Sequence, residues 1–127
     1  MNKTIFVIDD SDSMRAVVRM GLERAGFKVS EASDGVVARD MLDSVEPACI
    51  VCDVNMPRLD GVAFVKHLKT TRHRFVPVVM LTTSSQESQK AECRAAGVRA
   101  WVTKPFQPSD LIRAVTTVCG AASAGIN

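Results

Sequence analysis

Short apolar runs alternate with stretches of helical period five times along this chain. The first run, residues 4–9, holds Ile5, Phe6, Val7 and Ile8 unbroken. An apolar run of that length bounded by polar residues reads as a buried strand. Behind it, Met14, Val17, Val18 and Leu22 recur at three and four, the spacing of one helical face. Ser11 or Asp12 is placed to cap that helix, and Gly26 to end it in the left-handed conformation. Residues 28–31 predict a second strand, and Asp34-Gly35 opens a helix carrying Val37, Met41 and Leu42. A third apolar run, 49–52, ends at Asp53; Pro57 and Asp60-Gly61 shape the next loop, before a helix with Phe64, Val65 and Leu68. Residues 76–81 predict the fourth strand, and 86–96 a helix stopped by Gly97. Residues 100–103 predict the last strand. Pro108 stands where a first helical turn tolerates it, and Leu111, Ile112, Val115 and Val118 form the apolar face of the last helix.

Strict βα alternation implies an α/β fold, a doubly wound parallel sheet of five strands covered by helices on both faces. The 127 residues fit one domain, expected over 1–120, with 121–127, small and weakly apolar, as a short flexible tail. Hydrophobic residues make up 46% of the chain, ordinary for a globular protein, and a formal charge of +2 gives no reason to expect nucleic acid. No apolar run approaches the ~20 residues of a membrane span, and no signal-like segment opens the chain. A soluble, cytoplasmic monomer is expected, and Met1 with the short tail suggests a free protein.

Cys49-Ile50-Val51-Cys52 has the spacing of a redox or zinc pair. On a strand, residues three apart face opposite ways, so the two sulfurs cannot readily share a metal. Cys93 and Cys119 fall on helical segments without ligand neighbours, and all four read as buried thiols. His67 and His73 lack carboxylate or cysteine partners at ligand spacing and are expected at the surface. The basic run 69–74, mixed with threonine, reads as a solvated connection.

Three positions carry the chemistry. Asp9-Asp10 end the first apolar run, Asp53 ends the third, and Lys104-Pro105 follow the last. Parallel strands bring their carboxyl ends to one edge of the sheet, where doubly wound folds place their sites. Carboxylates converging there repel one another unless a divalent cation and an opposing ammonium hold them. Each residue also has a plainer role: Asp-Asp-Ser can cap a helix, Asp53 can form a turn, and Lys104 can be surface charge. The four together at one edge point to a pocket for a hard metal ion and a phosphoryl group, with Asp53 as nucleophile.

These stretches resemble response-regulator receiver domains, and among them the CheY-type chemotaxis regulators. The resemblance covers nearly everything from residue 3 to 118. It rests on Val7-Ile8-Asp9-Asp10-Ser11, the run Asp53-Val54-Asn55-Met56-Pro57-Arg58-Leu59-Asp60-Gly61, Met80-Leu81-Thr82-Thr83, and Lys104-Pro105-Phe106. It implies strand order 2-1-3-4-5, Mg²⁺-dependent phosphorylation of Asp53, and a conformational switch. Asp10, Asp53 and the Asn55 backbone carbonyl would ligate Mg²⁺, with Asp9 holding a metal-bound water. Lys104 and Thr82 would contact the phosphoryl group, and Trp101 would be the aromatic switch. A cis bond before Pro105 is implied as well. Thr83 stands where many receivers carry a smaller residue, and with Asn55 and Ser84 it would tune access to the phosphoryl group.

The expected partners are a histidine kinase or phosphotransfer protein, and a downstream protein bound by the face of the fourth helix, fifth strand and fifth helix. That face carries Lys90, Arg94, Arg99, Trp101 and Gln107. Turnover on outside substrates is not expected. Aspartate-nucleophile phosphatases need a second aspartate two residues beyond the first, and Asn55 stands there. A nucleotide-binding protein would put glycine-rich backbone donors after the first strand, where this chain has Asp9 and Asp10. A receiver belonging to a larger regulator is the remaining alternative.

Overall fold

The computed structural model describes residues 3–83 and 87–126, with backbone alone from Gly120 on. Its strands are β1 (Thr4–Ile8), β2 (Lys28–Ala32), β3 (Cys49–Asp53), β4 (Val78–Thr83) and β5 (Ala100–Lys104). The helices are α1 (Asp12–Arg24), α2 (Gly35–Met41), α3 (Gly61–Leu68), α4 (Glu87–Ala95) and α5 (Pro108–Ile126). All pairings are parallel, in the order β2-β1-β3-β4-β5, so the doubly wound fold stands.

The strands are unbroken apolar runs because both faces are covered. Phe6, Ile8, Ile50, Cys52 and Met80 pack with Ala38 of α2, Phe64 and Leu68 of α3 and Cys93 of α4. Ile5, Val7, Cys49, Val51, Val79 and Leu81 face the other way, onto Val18 and Leu22 of α1 and Leu111 and Val115 of α5. Each fully buried side chain of Leu or Phe size contributes roughly 1.5–3 kcal/mol. Cys49 and Cys52 therefore lie on opposite faces, as strand period requires, and share no ligand.

Helix starts follow their caps. Ser11 Oγ accepts from Met14 N at 3.2 Å, Asp34 Oδ1 from Val36 and Val37 N at 2.9 Å, and Asp60 Oδ1 from Ala63 N at 2.8 Å. Gly26 and Gly97 close α1 and α4 with φ of 95° and 101°, a conformation open to glycine.

Five boundaries or environments differ from expectation. β4 begins at Val78 because Pro77 has no N–H for the ladder and Val76 N turns back to His73 O, 3.0 Å away. α5 carries its helical backbone through the stretch read as a tail, as far as Ile126, consistent with the high helix propensity of Ala121, Ala122 and Ala124. His73 is buried, not exposed. Its Nε2 lies 2.9 Å from Leu42 O, so that nitrogen donates, and the bond anchors the turn after α3. His67 is only half-buried. Cys119 is not without a sulfur neighbour: it shares a thiol hydrogen bond with Cys49, which lowers the pKa of the Cys119 thiol and raises that of Cys49. The run 69–74 is a hydrogen-bonded connection, with Lys69 Nζ on Arg74 O at 3.1 Å and Arg72 on Glu46 at 2.7 Å. Among the described residues, no helix is long and apolar enough to cross a membrane.

Candidate functional site

The carboxyl ends of β1, β3, β4 and β5 meet at one edge. Asp53 is the last residue of β3, and Asp9 follows β1, its N–H donating to Ala32 O at 3.2 Å. Asp9 is fully buried, and its Oδ1 accepts from Ser11 N at 2.8 Å. Arg15, one turn into α1, donates to the Asp9 carbonyl at 2.6 Å and fixes the loop from below. Asp10 is exposed at the rim. Carboxylate oxygens of Asp9, Asp10 and Asp53 all lie within 4.8 Å of one another, the one such acidic group among the described residues.

Lys104 opposes them. Its Nζ is 3.2 Å from Asp53 Oδ2 and 3.8 Å from Asp9 Oδ2. The Lys104–Pro105 peptide is cis, as the resemblance implies. Asp53 Oδ1 accepts from Asn55 N at 3.2 Å, which turns the loop over the carboxylate. Burial lifts the Asp53 carboxyl above its usual range, Asp9 lifts it further, and Lys104 and the Asn55 N–H pull it back. Asp9 is raised too, by burial first and by Asp10, against the Ser11 N–H and Lys104.

One ammonium facing three carboxylates leaves excess negative charge in a partly buried pocket. Asp9 Oδ2 is buried without a hydrogen-bond partner among the described residues. Oxygen-only donors, crowded and under-neutralised, suit a hard divalent cation that keeps several waters, as Mg²⁺ does. The donor set fits that ion.

Thr82 lies on β4 with 1% of its surface exposed, and its hydroxyl has no hydrogen-bond partner among the described residues. Trp101 on β5 is half-buried beneath the Arg94 guanidinium, 5.2 Å from the ring centroid, and its Nε1 is also buried and without a partner among the described residues. Of the face expected to bind a target, Arg94, Arg99 and Gln107 are exposed and Lys90 is half-buried. Ser84, expected at the mouth of the site, lies outside the described residues.

The structure thus brings Asp9, Asp10, Asp53 and Lys104 together, with Asn55 beside Asp53. Sequence reasoning missed three supports. Gln89 Nε2 reaches the Asn55 side chain at 3.2 Å, Arg15 holds Asp9, and Arg58 grips Asp34 with Nε at 3.0 Å and Nη2 at 2.7 Å from Oδ2. The first two signals were only polar residues on a helix, and Arg58 figured only within the run 53–61 that carries the resemblance.

A five-stranded parallel sheet in this order, with an acidic trio facing a lysine across its carboxyl edge, defines a receiver domain. The chain belongs to that family: residues 5–116 match the Response regulator receiver domain. It is 38% identical over 111 residues to the alkaline phosphatase synthesis transcriptional regulatory protein PhoP of Bacillus subtilis, covering 87% of this chain and 46% of that one. The transcriptional regulatory protein SrrA of Staphylococcus aureus is 32% identical over 112 residues, 88% of this chain and 46% of its own. The chain spans about half the length of these curated relatives. Among solved structures, the Vibrio cholerae chemotaxis response regulator CheY4 superposes with a TM-score of 0.86 at 34% identity, covering 93% of this chain and 99% of that one. A Francisella response-regulator receiver domain matches at 0.86 and 27% identity, covering 95% and 99%.

Proposed function

We propose that this chain is a phosphorylation-driven signalling switch that accepts a phosphoryl group on Asp53 from a histidine kinase or phosphotransfer protein. The observation that carries this is Asp53 itself: a strand-end carboxylate within 4.8 Å of two others and 3.2 Å from a lysine ammonium. An Asp53 oxygen attacks the phosphorus of a phosphohistidine; the O–P bond forms as the P–N bond breaks, and the imidazole leaves. Positioning and charge neutralisation dominate phosphoryl transfer. Lys104 neutralises the incoming oxygens, and Asn55 N orients the carboxylate. Mg²⁺, held by Asp10, Asp53 and the Asn55 carbonyl with Asp9 behind a water, would supply the remaining positive charge. Release of phosphate leaves the acceptor as it began, so the protein is a switch rather than an enzyme acting on outside substrates.

The unpartnered Thr82 hydroxyl is the natural ligand for a phosphoryl oxygen. Its movement toward that oxygen would free space for Trp101 to turn inward, changing the surface of α4, β5 and α5 that meets a target. The finer reading is a stand-alone, cytoplasmic, monomeric regulator with a chemotaxis-type output. Similarity to the Vibrio cholerae CheY4 structure over nearly its whole length supports it. The lengths of PhoP and SrrA favour a second reading, a receiver within a larger regulator. Incubation with acetyl phosphate and Mg²⁺ tests the core of the proposal: intact-mass analysis should show one base-labile phosphoryl group, absent in Asp53→Asn. Full labelling of that variant would remove Asp53 from its role. Phosphotransfer profiling against the host's histidine kinases, with a pull-down by the phosphorylated form, decides the output.

A further inference from the structure

Arg58 is the one non-glycine residue with a positive φ among the described residues, at 68°. A side chain there crowds its own backbone, so glycine or asparagine is the usual occupant. The arginine is not there for packing, since its side chain is 57% exposed. What it does is grip Asp34 Oδ2 with two nitrogens, at 3.0 and 2.7 Å. The other oxygen of that carboxylate caps α2 through Val36 and Val37. One aspartate therefore joins the start of α2 to the β3–α3 loop.

Neighbouring contacts hold the same junction. Leu59 presses its carbonyl against Gly35 so closely that a Cβ there would overlap it and lie 2.9 Å from Leu59 Cβ. Gly61 N donates to Val54 O at 2.9 Å and closes the loop on itself. Asn55 stands inside this loop, tethered to Asp53 through its N–H. A loop fixed at both ends and clamped from the side presents its carbonyls in one arrangement.

We propose that Arg58 is a positioning residue: its forked pair with Asp34 holds the β3–α3 loop, and with it the Asn55 carbonyl, in the geometry that binds a divalent cation. This role rests on reading Asp9, Asp10 and Asp53 as a cation site. Residues that orient metal ligands typically change affinity by about 10–100-fold when lost. Arg58 acts one step further out, so a smaller effect, roughly fivefold, is expected.

Mn²⁺ serves as the probe, with free ion counted by electron paramagnetic resonance and Mg²⁺ as competitor, beside thermal melts in EDTA. Arg58→Gly should melt within about 3 °C of the parent, because relief of the left-handed conformation offsets the lost ion pair. Its Mn²⁺ affinity should nonetheless fall roughly fivefold. Arg58→Lys keeps the charge but not the fork and should fall part of the way. Asp34→Asn keeps the capping oxygen, should weaken Mn²⁺ as much as Arg58→Gly does, and should add nothing to it in the double variant. Parental Mn²⁺ affinity in Arg58→Gly overturns the proposal, as do additive losses in the double variant. A large drop in its metal-free melting temperature does the same, by making the pair merely structural. If the parent binds no Mn²⁺, the cation site itself falls, and the proposal with it.

Discussion

Thr82 lies within the sheet, 1% exposed, with a hydroxyl that finds no partner among the described residues. Burying an unpaired hydroxyl costs about 1–3 kcal/mol. Valine has the same branched shape, suits a strand equally well and carries no polar atom. Thr82→Val should therefore stabilise the metal-free, unphosphorylated protein by about 1–2 kcal/mol, after some loss from imperfect repacking. In a domain of this size that raises the melting temperature by about 3–10 °C. Phosphorylation should reverse the ranking. A phosphoryl oxygen on Asp53 gives the threonine hydroxyl a partner, so the parent gains an interaction the valine variant lacks. A ligand moves a two-state equilibrium only through such differential contacts, and coupling of this kind typically amounts to ~1–3 kcal/mol. Urea melts in EDTA measure the first effect. The second is read from Trp101, the only tryptophan in the chain, whose emission should respond to acetyl phosphate and Mg²⁺ in the parent and much less in the variant. Destabilisation by Thr82→Val in EDTA would mean the hydroxyl is already satisfied. An unchanged Trp101 response would break the proposed relay from Thr82 to Trp101.

Asp10→Ala should leave metal-free stability unchanged or slightly raised, because it relieves a crowded acidic trio, yet abolish cation binding and phosphorylation; strong destabilisation in EDTA would contradict the crowding. The carboxyls of Asp53 and Asp9 are raised in the folded protein, so their contribution to metal-free stability is full below the unfolded value near ~3.9 and is lost as pH rises through the raised values. Asp34, lowered by the Val37 N–H and Arg58, acts in the opposite sense at lower pH. Urea titrations of the parent against Asp53→Asn cancel Asp34, and a difference that does not grow between pH 4 and neutrality would refute the assignment. Gly61→Ala should cost about 1–3 kcal/mol in urea melts, since its Cβ would overlap the Asp53 carbonyl and lie 2.8 Å from Met80 Cε.

Most of the fold was legible because burial on both faces forces unbroken apolar strands, and helices announce themselves by period and cap. The cap at Asp34 was readable for that reason, and the first cap was narrowed to Ser11 or Asp12, whereas Asp60, read as a loop former, caps α3. Asp9, Asp10, Asp53 and Lys104 were readable too, because a strand end in a parallel sheet has only one edge to go to. Asp34 shows where sequence reasoning stopped. Its capping role is local, whereas its grip on Arg58 spans 24 residues and depends on how two loops approach. His73 failed for the same reason. Nothing within helical or strand reach marks Leu42 O as its partner, 31 residues away. The start of β4 was misplaced because apolar Val76 and Val78 flank Pro77, whose missing donor matters more than hydropathy.

The placement of Lys104 on the edge strand has a consequence for how the molecule comes into being. Asp53 meets its ammonium only when β5 pairs with β4, and 51 residues separate the two in the chain. As the chain is made from its amino end, β1, β3 and the acidic groups at their tips are available first, and the neutralising charge comes with the last strand. Contacts between distant segments are the slow ones in parallel sheets, and partly assembled sheets expose unpaired edges. The closing of the sheet and the balancing of its charge are thus one event. Run backward, any local opening that lifts β5 withdraws Lys104 from Asp53, so the charge felt by the acceptor carboxylate reports whether the far end of the chain is in place.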